Sequence, residues 1–332
     1  MKRAAVPSIL IVVVLLAVGV IADAQQTGKV ARIGFLDSST ASGSAVLLEA
    51  FREELTKLGW TEGKNITIEY RFAEQKSERL PELAADLVRL NVDLIVVSAT
   101  GPTLAAKGAT TTIPIVMTTV GEPVGEGLVA SLARPGGNVT GLSTLATELN
   151  TKRVEILKDA VPKLARVGLL RLSGAGGNIS TDLQLKKLRN AAMVLKLELE
   201  EIKTQPDPKG LESAFQTAKQ KRVNAIMTLT SRQFFAERKL IVDLADKYRL
   251  PAIYFQKEFV DEGGLMSYGA DYDDLYRRAA VYVDKILKGA KPADLPVQQA
   301  TKFEFVINLK AAKQIGLTIP PDVLARANKV IK

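Results

Sequence analysis

From residue 30 onward, short apolar runs rich in Val and Ile alternate with longer stretches whose apolar residues recur at helical spacing. The apolar runs predict strands at 30–36, 65–70, 92–97, 113–118 and 138–142, and the stretches between them predict helices at 45–58, 78–90, 103–109 and 126–132. Strands separated by helices of this length are joined by right-handed crossovers and pair in parallel. The pattern therefore predicts an α/β fold.

The strand pattern of the first half of the chain repeats in the second half. The run VARIGFL at 30–36 is matched by LARVGLL at 164–170, and residues 90–95 are echoed at 221–226. A strand behind proline also recurs, as IPIV at 113–116 and LPAI at 250–253. Three matches in the same order predict two Rossmann-like lobes of similar topology, each with a parallel sheet. A helix at 273–287, a strand at 303–307 and a helix at 309–316 follow and do not fit the repeat.

The stretch 113–143 combines two features, a turn that could face a ligand and a passage toward the second lobe. A buried strand leads into the turn GEPVG at 121–125, and Pro135-Gly136-Gly137 precedes the next strand. Ligands of open α/β sheets bind outside the carboxyl ends of the strands. Gly121 and Glu122 lie at such an end, so we expect this turn to face a ligand.

Composition excludes several classes of enzyme. The 332 residues are enough for two lobes with separate cores, and 47% of them are hydrophobic and 24% charged. Cysteine and histidine are both absent, which removes thiol nucleophiles, imidazole acid–base catalysis, disulfides and nearly all zinc sites. We expect no metal and no cofactor, and an enzyme would have to use carboxylates, Lys, Ser, Thr or Tyr.

The net charge of +9 does not predict a nucleic-acid partner. Lys and Arg are dispersed, with only short clusters such as 219–222, and no helix-turn-helix or aromatic stacking platform accompanies them. The basic residues therefore predict a solvated surface.

The N-terminus has the pattern of a secretory signal peptide. Lys2 and Arg3 precede an apolar run at 9–22 and the A-D-A sequence at 22–24. A membrane anchor is the alternative, but the run is shorter than the roughly 20 residues that a spanning helix needs. We expect residues 1–24 to be removed, and because no cysteine could carry a lipid, we expect a free periplasmic protein.

Several motifs resemble one family. The sequences GWTEGKN at 59–65, GEPVG at 121–125, ARPGGNVTG at 133–141, GGLMSYG at 263–269 and INLKAA at 307–312 are similar to type I periplasmic solute-binding proteins of ABC importers. Within that family the chain resembles the subfamily that includes tryptophan- and tyrosine-binding components. The resemblance implies two lobes on a hinge, with 29–142 and 268–296 in the N-terminal lobe and 143–267 and 297–332 in the C-terminal lobe.

The resemblance also implies a function. The lobes of such a protein would close over a small solute, for example an amino-acid-like or aromatic one, and the closed monomer would deliver it to an ABC permease without a chemical step. Two alternatives are a sensor that presents its closed lobes to a membrane receptor, and a secreted α/β enzyme that uses two of the carboxylates of Glu122, Asp271 and Glu258. The residues do not name the ligand.

The candidate ligand contacts lie where strands are predicted to end and along the rim of the cleft. They are Ser38, Ser98, Ala99, Thr100, Val120, Gly121 and Glu122 in the first lobe, Ser173, Asn178, Thr230, Phe255 and Glu258 in the second, and Tyr268 and Asp271 on the hinge side.

Each of these candidates has an alternative role. Hydroxyls and helix N-termini suit a polar or anionic group, but Ser98 and Thr100 could instead cap a helix. Glu122 stands where the family commonly has Asp. Its carboxylate could pair with an ammonium or accept hydrogen bonds from hydroxyls, or it could be a solvated turn residue. Phe255 and Tyr268 could stack on a flat ligand or belong to the core.

Overall fold

The computed structural model describes residues 30–173 and 179–332. The predicted signal peptide and Asn178 lie outside the described residues. The strands are β1 Ala31–Asp37, β2 Ile66–Phe72, β3 Leu94–Ser98, β4 Ile115–Val120, β5 Val139–Ser143, β6 Arg166–Leu172, β7 Glu198–Thr204, β8 Ala225–Thr228, β9 Ala252–Tyr254, β10 Met266–Ala270, β11 Gln298–Gln299, β12 Phe303–Asn308 and β13 Lys329–Ile331.

The α-helices run between the strands, and two short 3₁₀ turns accompany them at Ser77–Arg79 and Pro292–Asp294. The helices are α1 Ala41–Lys57, α2 Leu80–Arg89, α3 Thr100–Ala109, α4 Ala146–Ala160, α5 Ile179–Val194, α6 Pro208–Gln220, α7 Arg232–Ala236, α8 Arg238–Lys247, α9 Glu258–Asp261, α10 Tyr272–Leu287, α11 Leu309–Gln314 and α12 Pro321–Leu324.

The strands form two sheets of like topology. The first has the order β11-β5-β4-β3-β1-β2 and the second the order β13-β12-β10-β9-β8-β6-β7. All pairs are parallel except β10 with β12. The order β2-β1-β3-β4-β5 recurs as β7-β6-β8-β9-β10, which confirms the α/β fold with two similar sheets that the sequence repeat predicts.

The strand sequences explain the sheets. All residues of β3 and β4 are buried, as expected for apolar runs covered by helices on both faces. Helix α1 begins at Ala41, earlier than predicted, because Thr40 accepts a hydrogen bond from the Gly43 amide at 3.0 Å and so caps the helix.

The predicted helix at 126–132 is wrong, since the structure has a series of turns there. Gly127 has a φ of +66°, which is outside the right-handed helical region. The amides of Leu128 and Val129 both donate to the Pro123 carbonyl, at 2.9 and 3.2 Å. Lys107 donates through its Nζ to the Leu128 carbonyl at 3.1 Å. A side chain from α3 therefore satisfies a backbone acceptor that a helix would have used internally.

The chain passes between the sheets three times, after Ser143, Ala270 and Gln299. The expected lobe boundaries at 142, 267 and 296 lie one to three residues earlier. Strand pairing explains why the observed boundaries come later. Tyr268 pairs with Phe305 and so still belongs to the second sheet, and Gln298 pairs with Leu142 and so still belongs to the first. The division into two lobes at these boundaries stays a prediction.

Side chains cross between the two halves at the carboxyl ends of the strands. Arg232 of α7 forms an ion pair with Asp37 at the end of β1, with 3.0 Å between Nη2 and Oδ2. Gln75 donates through Nε2 to Glu237 Oε1 at 2.7 Å. These contacts hold the carboxyl edges of the two sheets face to face.

In the described ranges, no helix has the length and apolar character needed to cross a membrane.

Candidate functional site

A cavity lies between the carboxyl edges of the two sheets. The empty space between its walls, part of which is open to solvent, is about 410 Å³. All but one of its lining residues lie at or just after the end of a strand. The lining residues are Ala99, Thr100, Thr119, Gly121, Thr144, Ala146, Gln184, Thr230, Ser231, Arg232, Phe255, Gln256 and Tyr272.

Hydroxyl groups and the start of helix α3 form the first-sheet side of the cavity. Thr100 begins α3, and Thr119 and Thr144 follow along the neighbouring strand ends. Ala99, which precedes the helix, has φ 72° and ψ 176°, a region that is essentially reserved for glycine. The wall of the cavity therefore contains a strained backbone at the point where α3 begins.

Arg232 contributes the guanidinium group of the second-sheet side. The residue is 5% exposed. Its Nε and Nη2 donate to Asp37 Oδ2 at 3.3 and 3.0 Å, and Nη2 also donates to the Ser44 hydroxyl at 3.1 Å. Burial opposes the charge, but Asp37 raises the pKa of Arg232 above its ordinary value. Its Nη1 is buried and has no hydrogen-bond partner among the described residues.

A second guanidinium lies behind the cavity wall. Arg153 of α4 is 1% exposed, and it contacts two lining residues, since Nη2 donates to Thr230 Oγ1 at 3.4 Å and the guanidinium lies 6.0 Å from the centre of the Phe255 ring. Its other hydrogen bonds go to Asn150 Oδ1 and, at 2.8 Å, to the Tyr268 carbonyl. Burial lowers the pKa of Arg153 to about 10, so the side chain remains a cation at neutral pH.

Two aromatic rings and an amide complete the second-sheet side. Phe255 and Tyr272 have ring centres 6.5 Å apart and both line the cavity. Gln256 is 2% exposed, and neither its Nε2 nor its Oε1 has a hydrogen-bond partner within the described part of the chain. A buried amide without partners is costly in free energy, so Gln256 is a second group that a bound solute could satisfy.

Five of the candidate residues from the sequence lie on the cavity wall: Ala99, Thr100, Gly121, Thr230 and Phe255. They come from the ends of four different strands and from both sheets. As ligand contacts they stay predictions.

Five other described candidates do not line the cavity. Ser38 and Val120 are buried. The Ser98 hydroxyl lies 2.9 Å from the Tyr276 hydroxyl, so it joins β3 to α10. Glu122 is partly exposed, and its Oε1 is buried without a hydrogen-bond partner. Ser173 lines a separate groove between the halves, together with Gln75 and Gln233.

Three further candidates have structural contacts outside the cavity wall. Asp271 caps helix α10 by accepting a hydrogen bond from the Asp274 amide at 2.9 Å. Tyr268 packs edge-on against Phe305. Glu258 is buried beside Asp273, and burial followed by that neighbouring carboxylate raises its pKa to about 7.

The sequence reasoning did not select Arg232, Gln256 or Tyr272. A signal for Arg232 exists, because a cation at the first position of a helix is unfavourable and calls for an anionic partner. That partner, Asp37, is 195 residues away. Gln256 and Tyr272 have no comparable signal, since each simply follows a residue that the sequence did single out.

With the geometry in hand, comparison with known proteins is informative. The family model described as ABC transporter substrate binding protein matches residues 41–331. A tyrosine-binding protein of Clostridioides difficile (strain R20291) is 26% identical over 274 residues, covering 81% of this chain and 76% of that protein.

Two solved structures are similar over 91% of this chain. A conserved domain protein from Vibrio cholerae O1 biovar eltor strain N16961 is 30% identical with a TM-score of 0.83, and all of that chain is covered. An ABC domain in complex with L-Trp from Streptococcus pneumonia is 27% identical with a TM-score of 0.80, and 99% of it is covered.

Proposed function

Because this chain belongs to the ABC transporter substrate binding protein family, we propose that it binds a small amino-acid-like or aromatic solute between two lobes and delivers it to an ABC permease. The family and the relatives above are solute-binding proteins and not enzymes. The proposal therefore needs a binding site and a conformational change, and it needs no chemical step.

The observation that carries the proposal is the cavity at the facing edges of the two sheets. Thr100, Thr119 and Gly121 line it from the first sheet, and Arg232 and Phe255 line it from the second. A solute that contacts both sets has higher affinity for the closed form than for an open one, and it shifts the population toward closure. The similar proteins support a ring-bearing solute, since one is a tyrosine-binding protein and another was solved with L-Trp.

We also propose a periplasmic location, because the N-terminal sequence has the pattern of a cleaved signal peptide. The closed lobes would then be presented to a permease in the inner membrane.

Two experiments test this function. A thermal-shift screen of amino acids, nucleosides and small aromatic compounds should find a compound that raises the melting temperature, because binding to the native state alone stabilises it. An ABC permease from the same organism that works with this protein, reconstituted in vesicles, should take up that compound only when this protein is added. Uptake that does not depend on the protein would contradict the importer role and leave the sensor alternative.

A further inference from the structure

The charges around the cavity do not balance. Two guanidiniums are buried here. That of Arg232 belongs to the cavity wall, and that of Arg153 lies directly behind it. One carboxylate, that of Asp37, forms an ion pair with Arg232. Within residues 30–173 and 179–332, Arg153 has no ion-pair partner, because its hydrogen bonds end on a carbonyl, an amide and a hydroxyl.

No acid among the described lining residues supplies the missing charge. The described lining residues include no Asp and no Glu, and the sequence of the segment 174–178 contains none either. The pKa of Glu258 is raised to about 7, so this buried carboxyl is about half protonated at neutral pH. A buried cation without a counterion is unfavourable, and a bound solute is positioned to correct it.

Donors are already present for an anionic group. Arg232 Nη1 and Gln256 Nε2 are buried, lack hydrogen-bond partners and belong to residues that line the cavity. The start of α3 at Thr100 adds backbone amides, which also favour negative charge. An ammonium group would find no carboxylate among the described lining residues and would lie near two guanidiniums.

We propose that the cavity takes a carboxylate solute that has no ammonium group, with the carboxylate on Arg232 Nη1 and the Gln256 amide. The inference rests on the proposed function and deepens it, since it names the charge class of the transported solute. It separates this chain from proteins that carry a zwitterionic amino acid, because in a zwitterion the ammonium group cancels the charge that Arg153 requires.

Matched pairs of compounds test the proposal on the unaltered protein. L-Tryptophan and indole-3-propionate differ only in the α-ammonium group, as do L-tyrosine and 3-(4-hydroxyphenyl)propionate, and L-leucine and 4-methylpentanoate. Titration calorimetry should show that the deaminated acid of at least one pair binds at least about tenfold more tightly than its amino acid. The amine tryptamine, which has no carboxylate, should not bind.

Each other outcome overturns the inference. An amino acid that binds as tightly as its deaminated partner, or more tightly, shows that the ammonium group is accepted, and the proposed solute-binding function would then still stand. If Glu122→Gln abolishes that amino acid's binding, Glu122 is the ammonium partner. Absence of binding by all six carboxylates also contradicts the inference, while the wider thermal-shift screen decides the function separately.

An Arg153→Gln variant gives a second, independent readout. Removal of the unpaired cation should weaken the deaminated acid by about tenfold or more and leave any affinity for the matching amino acid nearly unchanged. Equal weakening of both compounds would show that Arg153 acts by packing alone, and it would contradict the charge argument.

Discussion

Residues at the cavity have two features that lower stability. One has a strained backbone, and others have buried polar atoms with no hydrogen-bond partner in the described part of the chain. Ala99 adopts a backbone conformation that suits glycine, and Gln256 and Arg232 Nη1 are buried without partners. Strain and unsatisfied groups of this kind persist where the surrounding structure imposes them, and they concentrate at functional sites. Residues that are unfavourable for folding are therefore present on the cavity wall.

Ala99→Gly should raise the stability of the free protein. Strain at such a backbone position costs roughly 1–3 kcal/mol, while glycine loses roughly 0.5–1 kcal/mol through the flexibility of the unfolded chain. We therefore expect a gain of about 1 kcal/mol in the free energy of unfolding, measured by urea denaturation. Ala105→Gly is the matched control, because Ala105 lies in the middle of α3, the helix that Ala99 precedes. This variant should lose about 1 kcal/mol in the free energy of unfolding. A loss of similar size at both positions would contradict the strain.

Glu258→Gln should change the pH dependence of stability. The pKa of Glu258 is raised from its ordinary value of 4.5 to about 7 in the folded protein, so the folded state binds the proton more tightly than the unfolded state. Stability therefore falls as the pH rises from about 4.5 to about 7. Glu258→Gln should be more stable than the parent at pH 8, by up to about 3 kcal/mol, and this advantage should disappear near pH 4.5. Thermal unfolding across this pH range measures it, and a constant difference would contradict the raised pKa.

At the scale of elements, the sequence predicts the parts of the fold that depend on local patterns. Apolar β-branched runs identify β1, β3 and β4 and their repeats, because strands covered on both faces need such runs. The turns at 126–132 were not predictable, because the Lys107 side chain from another element decides them. Local patterns also locate Thr100 and Gly121, because each follows a predicted strand. The position of the Arg232 side chain depends instead on an acid 195 residues away.

Glycine at one position sets the distance between β4 and β5. Gly141 has a φ of +130°, and a Cβ atom there would lie 2.2 Å from the Met117 carbonyl oxygen. Gly141→Ala should therefore lower the free energy of unfolding by more than about 3 kcal/mol. Gly137→Ala is the control, since a Cβ at this nearby glycine has no heavy atom within 4 Å. Chemical denaturation of both variants gives the comparison, and a mild effect at Gly141 would mean that the two strands can separate.

At the scale of the whole molecule, contacts far from the cavity should set the affinity for the solute. Glu237 and Gln75 join the two halves outside the lining residues. If closure and binding are coupled, a weaker closed form lowers the apparent affinity even though no ligand contact changes.

Glu237→Ala should weaken solute binding by about two- to tenfold, because one hydrogen bond contributes roughly 0.5–1.5 kcal/mol. Asp243→Ala removes the same charge on the same side, but its partner Lys239 is one helical turn away, so we expect no change. Calorimetry with the tightest compound of the six carboxylates measures both, and small-angle scattering should show a smaller radius of gyration in the parent with that compound than without it. Equal affinities of the two variants would contradict the coupling.

The ion pair of Arg232 and Asp37 has a consequence for how a binding protein releases its solute. If the two halves separate as proposed, each ion regains its hydration, and this hydration offsets much of the attraction that is lost. The pair can therefore specify how the halves meet without making the closed form difficult to leave. A substrate-binding protein that binds its solute tightly and still releases it needs a contact of this kind. Such a contact fixes the geometry of the closed form and adds little to its free energy.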